Sequence, residues 1–241
     1  MKREKRWLFV SDVDDTLVGD NLALVKLRNA LETASNLITT TYNSSRPCAS
    51  LRQTLNQLSE LPIPDYLIGA MGTEIQEGPS EKLLSAYSQL LGQGWHRDQI
   101  ITAIQNLNFT LHPSEYQTPF KISYDVPDAN ASTQVVQALQ TAGLAAKVIY
   151  SGGKNLDIIP QAAGKKAGIE YLQQQLNIQA EYVVVAGDSG NDLEMFVAPY
   201  KGIVVANADL DLKKRRGEHI YHARLAYAQG VLEGLRFWQV L

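Results

Sequence analysis

Apolar positions along the chain follow two alternating rhythms. The runs Trp7–Ser11, Leu37–Tyr42, Asp65–Ala70, Tyr182–Ala186 and Gly202–Ala206 are short, β-rich and nearly continuous in apolar residues, the pattern of strands buried on both faces. Between the first two, Leu24, Leu27, Ala30 and Leu31 recur at helical spacing. Leu51, Leu55 and Leu58 do the same between the second and third, and Pro47 suits a first helical position. Further helices are predicted over residues 165–176, 192–197 and 226–238. Strand and helix in alternation make βαβ units, so the chain predicts an α/β fold with a Rossmann-like parallel-sheet core.

The middle of the chain breaks this rhythm. From about Ser80 to Pro160 the pattern predicts helices over 95–107 and 132–142 among strands over 109–112, 121–126, 146–150 and 155–159. Helix-strand-strand-helix-strand-strand closes a small antiparallel sheet with helices on one face. The expected organisation is a core of residues 1–79 and 161–241, interrupted by a smaller α/β lobe of residues 80–160.

Composition narrows the possible partners. Of 241 residues, 45% are hydrophobic and 20% charged, ordinary for a globular protein. With 25 acidic and 22 basic residues the net charge is −3, which gives no electrostatic reason to expect nucleic acid or an anionic membrane. Cys48 stands alone, so an internal disulfide and a thiolate metal cage are both excluded. The N-terminal MKREKRWLFVSD turns acidic too soon for a signal peptide, and no apolar run approaches the roughly 18 residues that span a bilayer. A soluble, cytoplasmic protein is expected.

The candidate chemistry lies where strands end. Ser11-Asp12-Val13-Asp14-Asp15-Thr16 follows the first strand and Ser44-Ser45-Arg46 the second, while Gly187-Asp188-Ser189-Gly190-Asn191-Asp192 follows Val183–Ala186. Open α/β sheets bind ligands beyond the carboxyl ends of their strands, so Asp12, Asp14, Ser44, Asp188 and Asp192 should converge. Packed carboxylates repel one another and resist leaving water; a hard, oxygen-ligated cation such as Mg²⁺ would compensate them. The Asp-x-Asp spacing suits phosphoryl transfer. Asp12 would attack phosphorus in line, and Asp14 would protonate the leaving alkoxide and then activate water. Ser44 would bind a phosphate oxygen, and Lys165 is the natural lysine to neutralise developing charge.

These motifs, in this order over nearly the whole chain, resemble the haloacid dehalogenase superfamily of Mg²⁺-dependent phosphatases. The resemblance implies Asp12 as nucleophile and metal ligand and Asp14 as acid/base with its backbone carbonyl on the metal. It implies Asp188 as a direct or water-mediated ligand, Asp192 as the residue ordering the metal shell, and Asn191 as a partner of Lys165 or the phosphate. The segments KISY (121–124), GTEI (72–75), WHRD (95–98) and SGGKNLDIIPQ (151–161) are similar to cyanobacterial sucrose-phosphate phosphatases, in which the inserted lobe is a cap closing over the sugar. That likeness implies sucrose 6-phosphate as substrate, the sucrose-phosphate-forming glycosyltransferase as a partner, and Glu74, Lys121 and Lys154 as sugar contacts. Ser45 and Lys166 stand where the family carries glycine. The rival substrates are glucosylglycerol phosphate and a phosphorylated mannosyl compound, and the rival class is a catalytically weak sugar-phosphate-binding module. Asp15 and Asp20 read as turn residues, Lys213–Arg216 as a solvated helix face, His219 and His222 as structural, and Cys48 as a buried small residue.

Overall fold

A computed structural model describes residues 7–241. The first part of the chain forms β1 (Trp7–Ser11), α1 (Asn21–Thr33), β2 (Ile38–Asn43), α2 (Cys48–Gln57), β3 (Tyr66–Gly69), β4 (Glu74–Glu77) and α3 (Ser85–Gly92). A middle part follows with α4 (Arg97–Ile104), β5 (Thr110–Leu111), β6 (Ile122–Asp125), α5 (Asn130–Thr141), β7 (Lys147–Ser151) and β8 (Asn155–Ile159). The chain closes with α6 (Lys165–Gln175), β9 (Val183–Gly187), β10 (Lys201–Val204), α7 (Leu210–Lys213), β11 (Ile220–His222) and α8 (Tyr227–Phe237).

The large sheet runs β11-β10-β9-β1-β2-β3-β4, parallel except for β4, which pairs antiparallel with β3. Ser11 at the end of β1 sits in register with Tyr42 of β2 and Ala186 of β9. The chain order reverses between β1 and β9, so the loops after these strands flank the crevice where such sheets bind ligands. Every residue of β2 and β9 is buried, as is all of β1 after Trp7, which explains their nearly continuous apolar or β-branched character. The α/β fold with a mostly parallel central sheet is the one that the alternation predicts.

The differences lie at edges and short elements. Strands β4 (EIQE) and β11 (IYH) lie outside the strands that the sequence predicts, because edge strands this short carry no period to detect. Helix α3 was also missed. It buries only Tyr87 and Leu91, and both join the core of the large sheet although they lie in the segment expected to belong to the lobe. Pro47 precedes α2 as its cap residue instead of opening it. The helix expected over 192–197 is a 3-10 turn, Gly190–Met195, drawn tight by a capping box in which Ser189 and Asp192 bond each other's backbone.

The second sheet runs β5-β6-β8-β7, antiparallel throughout. Its strands alternate. Ile122, Tyr124, Leu156 and Ile158 bury with Ile100, Ile104, Val135 and Leu139 of α4 and α5 in a separate apolar cluster. The intervening residues, Ser123 and Asp125 on β6 and Asn155 and Asp157 on β8, point to the opposite face, as period-two geometry requires. That face carries polar side chains towards the core. No helix among the described residues is long and apolar enough to cross a membrane.

Candidate active site

Strand β1 delivers Asp12 to the crevice, where its backbone N–H donates to Ala186 O at 3.0 Å and ties the loop to the end of β9. Only 6% of Asp12 is exposed. Lys165, the first residue of α6 and fully buried, reaches in from the opposite side. Its ammonium donates to Asp12 Oδ1 at 2.8 Å, Asp192 Oδ1 at 2.6 Å and Asn191 Oδ1 at 3.0 Å. The approach of α6 is set behind it. Asn43 at the end of β2 donates to Lys165 O at 2.9 Å, and Gly164 takes φ 137°, a conformation that L side chains rarely adopt.

The other oxygen of Asp192 accepts the backbone N–H groups of Asp188 and Ser189 at 3.0 and 3.2 Å. With both oxygens engaged, Asp192 orders the loop and the lysine. Thr16 donates to Asp188 Oδ1 at 2.9 Å, with Asp12 Oδ2 at 3.5 Å. One carboxylate oxygen from each of Asp12, Asp188 and Asp192 lies within 4.8 Å of the others.

The electrostatics favour a cation beside these carboxylates. Burial raises the Asp12 carboxyl well above the ordinary carboxylate range; Lys165 opposes the rise, and Asp192 and Asp188 add to it. Burial, followed by Asp192, lifts Asp188 to about 6 against the bond from Thr16. Burial alone would lower the Lys165 ammonium, yet Asp12 and Asp192 raise it above the ordinary lysine range, so it stays charged. Three carboxylates against one ammonium leave two negative charges in excess. An all-oxygen donor set with that excess fits a hard divalent cation, which Asp12 and Asp188 would hold because their oxygens are not all consumed by strong donors.

Asp14 is not drawn into this cluster. It stands half-exposed at the rim, where Arg46 Nη1 donates to both its oxygens at 2.9 and 3.2 Å. Arg46 is itself fixed by α2 through Ser50 and Thr54. Ser44 is buried beside Asn43, and its Oγ accepts the N–H of Arg46 at 3.2 Å.

Ser45 and Arg46 also form the core side of a groove of about 340 Å³. The lobe supplies its other wall: His112, Pro113, Tyr116, Lys121, Asp125, Ser151, Lys154, Asn155 and Asp157. Two of the expected sugar contacts are therefore brought together. Lys121 is buried at the groove floor, and Lys154 is exposed at its rim with Asp125 at 3.9 Å. Glu74 is not brought to it. Its carboxylate accepts the N–H of Cys48 at 2.9 Å at the start of α2, a helix whose cap residue offers no side-chain acceptor, and it lines a different depression with Arg52 and Gln76. Sequence reasoning passed over Thr16, Asn43, Arg46, His112 and Tyr116. Thr16 and Arg46 lay inside motifs already singled out; the others carry no local signal.

The sequence matches the Sucrose-6F-phosphate phosphohydrolase family over residues 5–239. A mannosylfructose-phosphate phosphatase of Agrobacterium fabrum is 34% identical over 239 residues, covering 96% of each chain. Sucrose-phosphatase 1 of Nicotiana tabacum is 32% identical over 253 residues, and this chain spans 58% of that longer protein. The X-ray structure of the sucrose-phosphatase from Synechocystis sp. PCC6803 in complex with sucrose and phosphate superposes with a TM-score of 0.89 at 30% identity, covering 98% of both chains. A haloacid dehalogenase-like hydrolase from Bacillus subtilis shares the fold at 16% identity, with a TM-score of 0.72 over 98% of this chain and 96% of that one. A match over nearly the whole chain to enzymes named for removing phosphate from sugars, in sequence and in fold, identifies its kind: the chain belongs to the Sucrose-6F-phosphate phosphohydrolase family and is a phosphoric monoester hydrolase of the haloacid dehalogenase superfamily.

Proposed function

We propose that this phosphatase hydrolyses sucrose 6-phosphate to sucrose and phosphate, with Mg²⁺, through an aspartyl phosphate on Asp12. The observation that carries this reading is the buried Asp12–Lys165–Asp192 cluster joined, through Asp14 and Arg46, to a polar groove of disaccharide scale. Asp12 attacks phosphorus while the P–O bond to the sugar breaks, and Asp14 gives the leaving alkoxide its proton. Asp14 then takes a proton from the water that releases phosphate from Asp12. Ser44 donates its hydroxyl to a phosphate oxygen. Lys165, oriented by Asn191 and Asp192, balances charge on the phosphoryl group. Asp12 and Asp188 would hold Mg²⁺, which would supply the charge neutralisation that lets an anionic nucleophile meet an anionic phosphate. The lobe, from the turn after α3 to β8, serves as the cap that selects the sugar, with Lys121 and Lys154 facing it. The glycosyltransferase that forms the substrate is the partner implied by the family resemblance.

A second substrate has a specific observation in its favour. The Agrobacterium relative, which matches nearly end to end, is a mannosylfructose-phosphate phosphatase. Mannose differs from glucose in the orientation of one hydroxyl, which a groove built to bond it would discriminate by about 1–3 kcal/mol, roughly 5- to 150-fold. Phosphate release from sucrose 6-phosphate, mannosylfructose phosphate and glucosylglycerol phosphate, with and without Mg²⁺, tests the proposal. Sucrose 6-phosphate should give the highest kcat/KM. A higher value for either other sugar refutes the substrate, and absence of turnover even on a small chromogenic ester would favour a binding module.

A further inference from the structure

The lobe meets the core at a turn that is pinned from several directions. Thr118 and Lys121 exchange backbone hydrogen bonds at 3.1 and 3.3 Å around Pro119 and Phe120, closing a tight turn just before β6. Trp95 Nε1 donates to Pro119 O at 2.9 Å, and Phe120 packs against the core cluster of the large sheet, its ring close to Gly92 of α3. A segment seated in the core in this way does not behave as the free tip of a cap.

Lys121 leaves this turn on the groove face of the lobe, yet only 4% of it is exposed. Its ammonium lies 3.3 Å from Asp157 Oδ1, itself 5% exposed and bonded by the Ser123 hydroxyl. The same ammonium donates to the backbone carbonyl of Ser45 at 3.1 Å, across 76 positions of sequence. Ser45 sits between Ser44 and Arg46, whose N–H is bonded to Ser44 Oγ. The orientation of that loop is therefore set partly from the lobe.

We infer that Lys121, with Asp157 behind it, is a positioning residue that holds the Ser44–Arg46 loop in its phosphate-binding shape. This rests on the phosphatase reading above, in which Ser44 grips the phosphate. Lys121 then matters to every phosphate ester, including one with no sugar to contact. A lysine that merely bonded sugar hydroxyls would matter only to sugar substrates. The pair couples the sugar groove to the reaction centre: a group bound beside Asp157 shares the ammonium that fixes Ser45.

The test compares wild type with the double variant Lys121→Met/Asp157→Asn, which removes both buried charges together so that neither is left unpaired. Three quantities are measured on folded protein, checked by thermal melting: kcat/KM for a small chromogenic phosphate ester, kcat/KM for sucrose 6-phosphate, and the inhibition constant of inorganic phosphate. Both specificity constants should fall in parallel by about tenfold or more, and the phosphate inhibition constant should rise by a similar factor. Lys121→Arg, which keeps a donor for Ser45, should retain more ester activity than the double variant. A loss confined to sucrose 6-phosphate, with ester turnover and phosphate inhibition at wild-type values, overturns the inference and makes Lys121 a sugar contact. Equal ester losses in Lys121→Arg and the double variant overturn the bond to Ser45 as the cause. If wild type cleaves the ester but not sucrose 6-phosphate, the substrate reading fails separately, because the ester and inorganic phosphate report on the loop without any sugar.

Discussion

Replacing Lys165 with methionine should destabilise the metal-free protein in a way that pH and Mg²⁺ both reveal. Methionine is close to lysine in length and apolar, so the change removes charge and donors with little loss of packing. The ammonium is fully buried and lies 2.6–2.8 Å from two carboxylates that are themselves almost wholly buried. Breaking a buried ion pair by removing one partner costs about 3–5 kcal/mol, because the remaining charge stays out of water. For a chain of this size each kcal/mol moves Tm by about 2–4 °C, so a drop of about 6–20 °C is expected at pH 8 with chelator present. The sign with pH follows from Asp12. Its folded-state pKa is raised above the unfolded value, and removing Lys165 takes away the charge that opposes that rise. An acid with a raised folded pKa costs stability above that pKa, and the cost fades as pH falls through it. The gap between variant and wild type should therefore narrow on acidification. Mg²⁺ at pH 8 should also narrow it, while turnover stays about 10²- to 10³-fold below wild type because the transition state has lost its fixed cation. Scanning calorimetry from pH 5 to 8, with and without Mg²⁺, reads each effect. A variant that melts within 2 °C of wild type at pH 8 without metal would refute the view that Lys165 neutralises the carboxylate cluster.

Asp12→Asn should abolish turnover in a protein that still folds, since an amide cannot form the acyl phosphate; substantial residual phosphate release by well-folded protein would remove Asp12 as nucleophile. Mg²⁺ binding followed by calorimetry should weaken as pH drops below about 6, where a proton competes for Asp188, approaching a tenfold rise in Kd per pH unit; a flat profile would take Asp188 out of the ligand set. Glu74→Ala should cost about 1 kcal/mol by freeing the N–H of Cys48 at the start of α2, with sugar selectivity unchanged. A shift in the ratio of kcat/KM between sucrose 6-phosphate and a small ester would return Glu74 to the sugar site.

The large sheet and the clustering of carboxylates at its strand ends were legible in the sequence because their signals are local and dense. β1, β2 and β9 are buried on both faces, so nearly every position along them must be apolar or β-branched. A residue that follows such a strand must stand at the crevice, which located Asp12, Ser44 and Asp188 before any contact was known. The antiparallel lobe was legible for a related reason: alternation at β6 and β8 separates Ile122 and Ile158 from Ser123 and Asp157. Tertiary structure alone decided what the polar side chains do. Glu74 belonged by sequence to the sugar site, but β4 returns antiparallel beside β3 and places it at the head of α2. Asp14 stands out in sequence by its Asp-x-Asp spacing, but its pairing with Arg46 depends on how the loops after β1 and β2 meet. Lys121 is expected from sequence only as a sugar contact, and the turn at Thr118–Lys121 also sets its ammonium against Asp157 and Ser45 at the groove floor. Hydrophobic periodicity records how much of each position is buried, because burial selects residue type wherever it occurs. It does not record which polar group lies opposite, since one lysine or carboxylate serves equally well against solvent, substrate or a backbone carbonyl until the fold sets the distance.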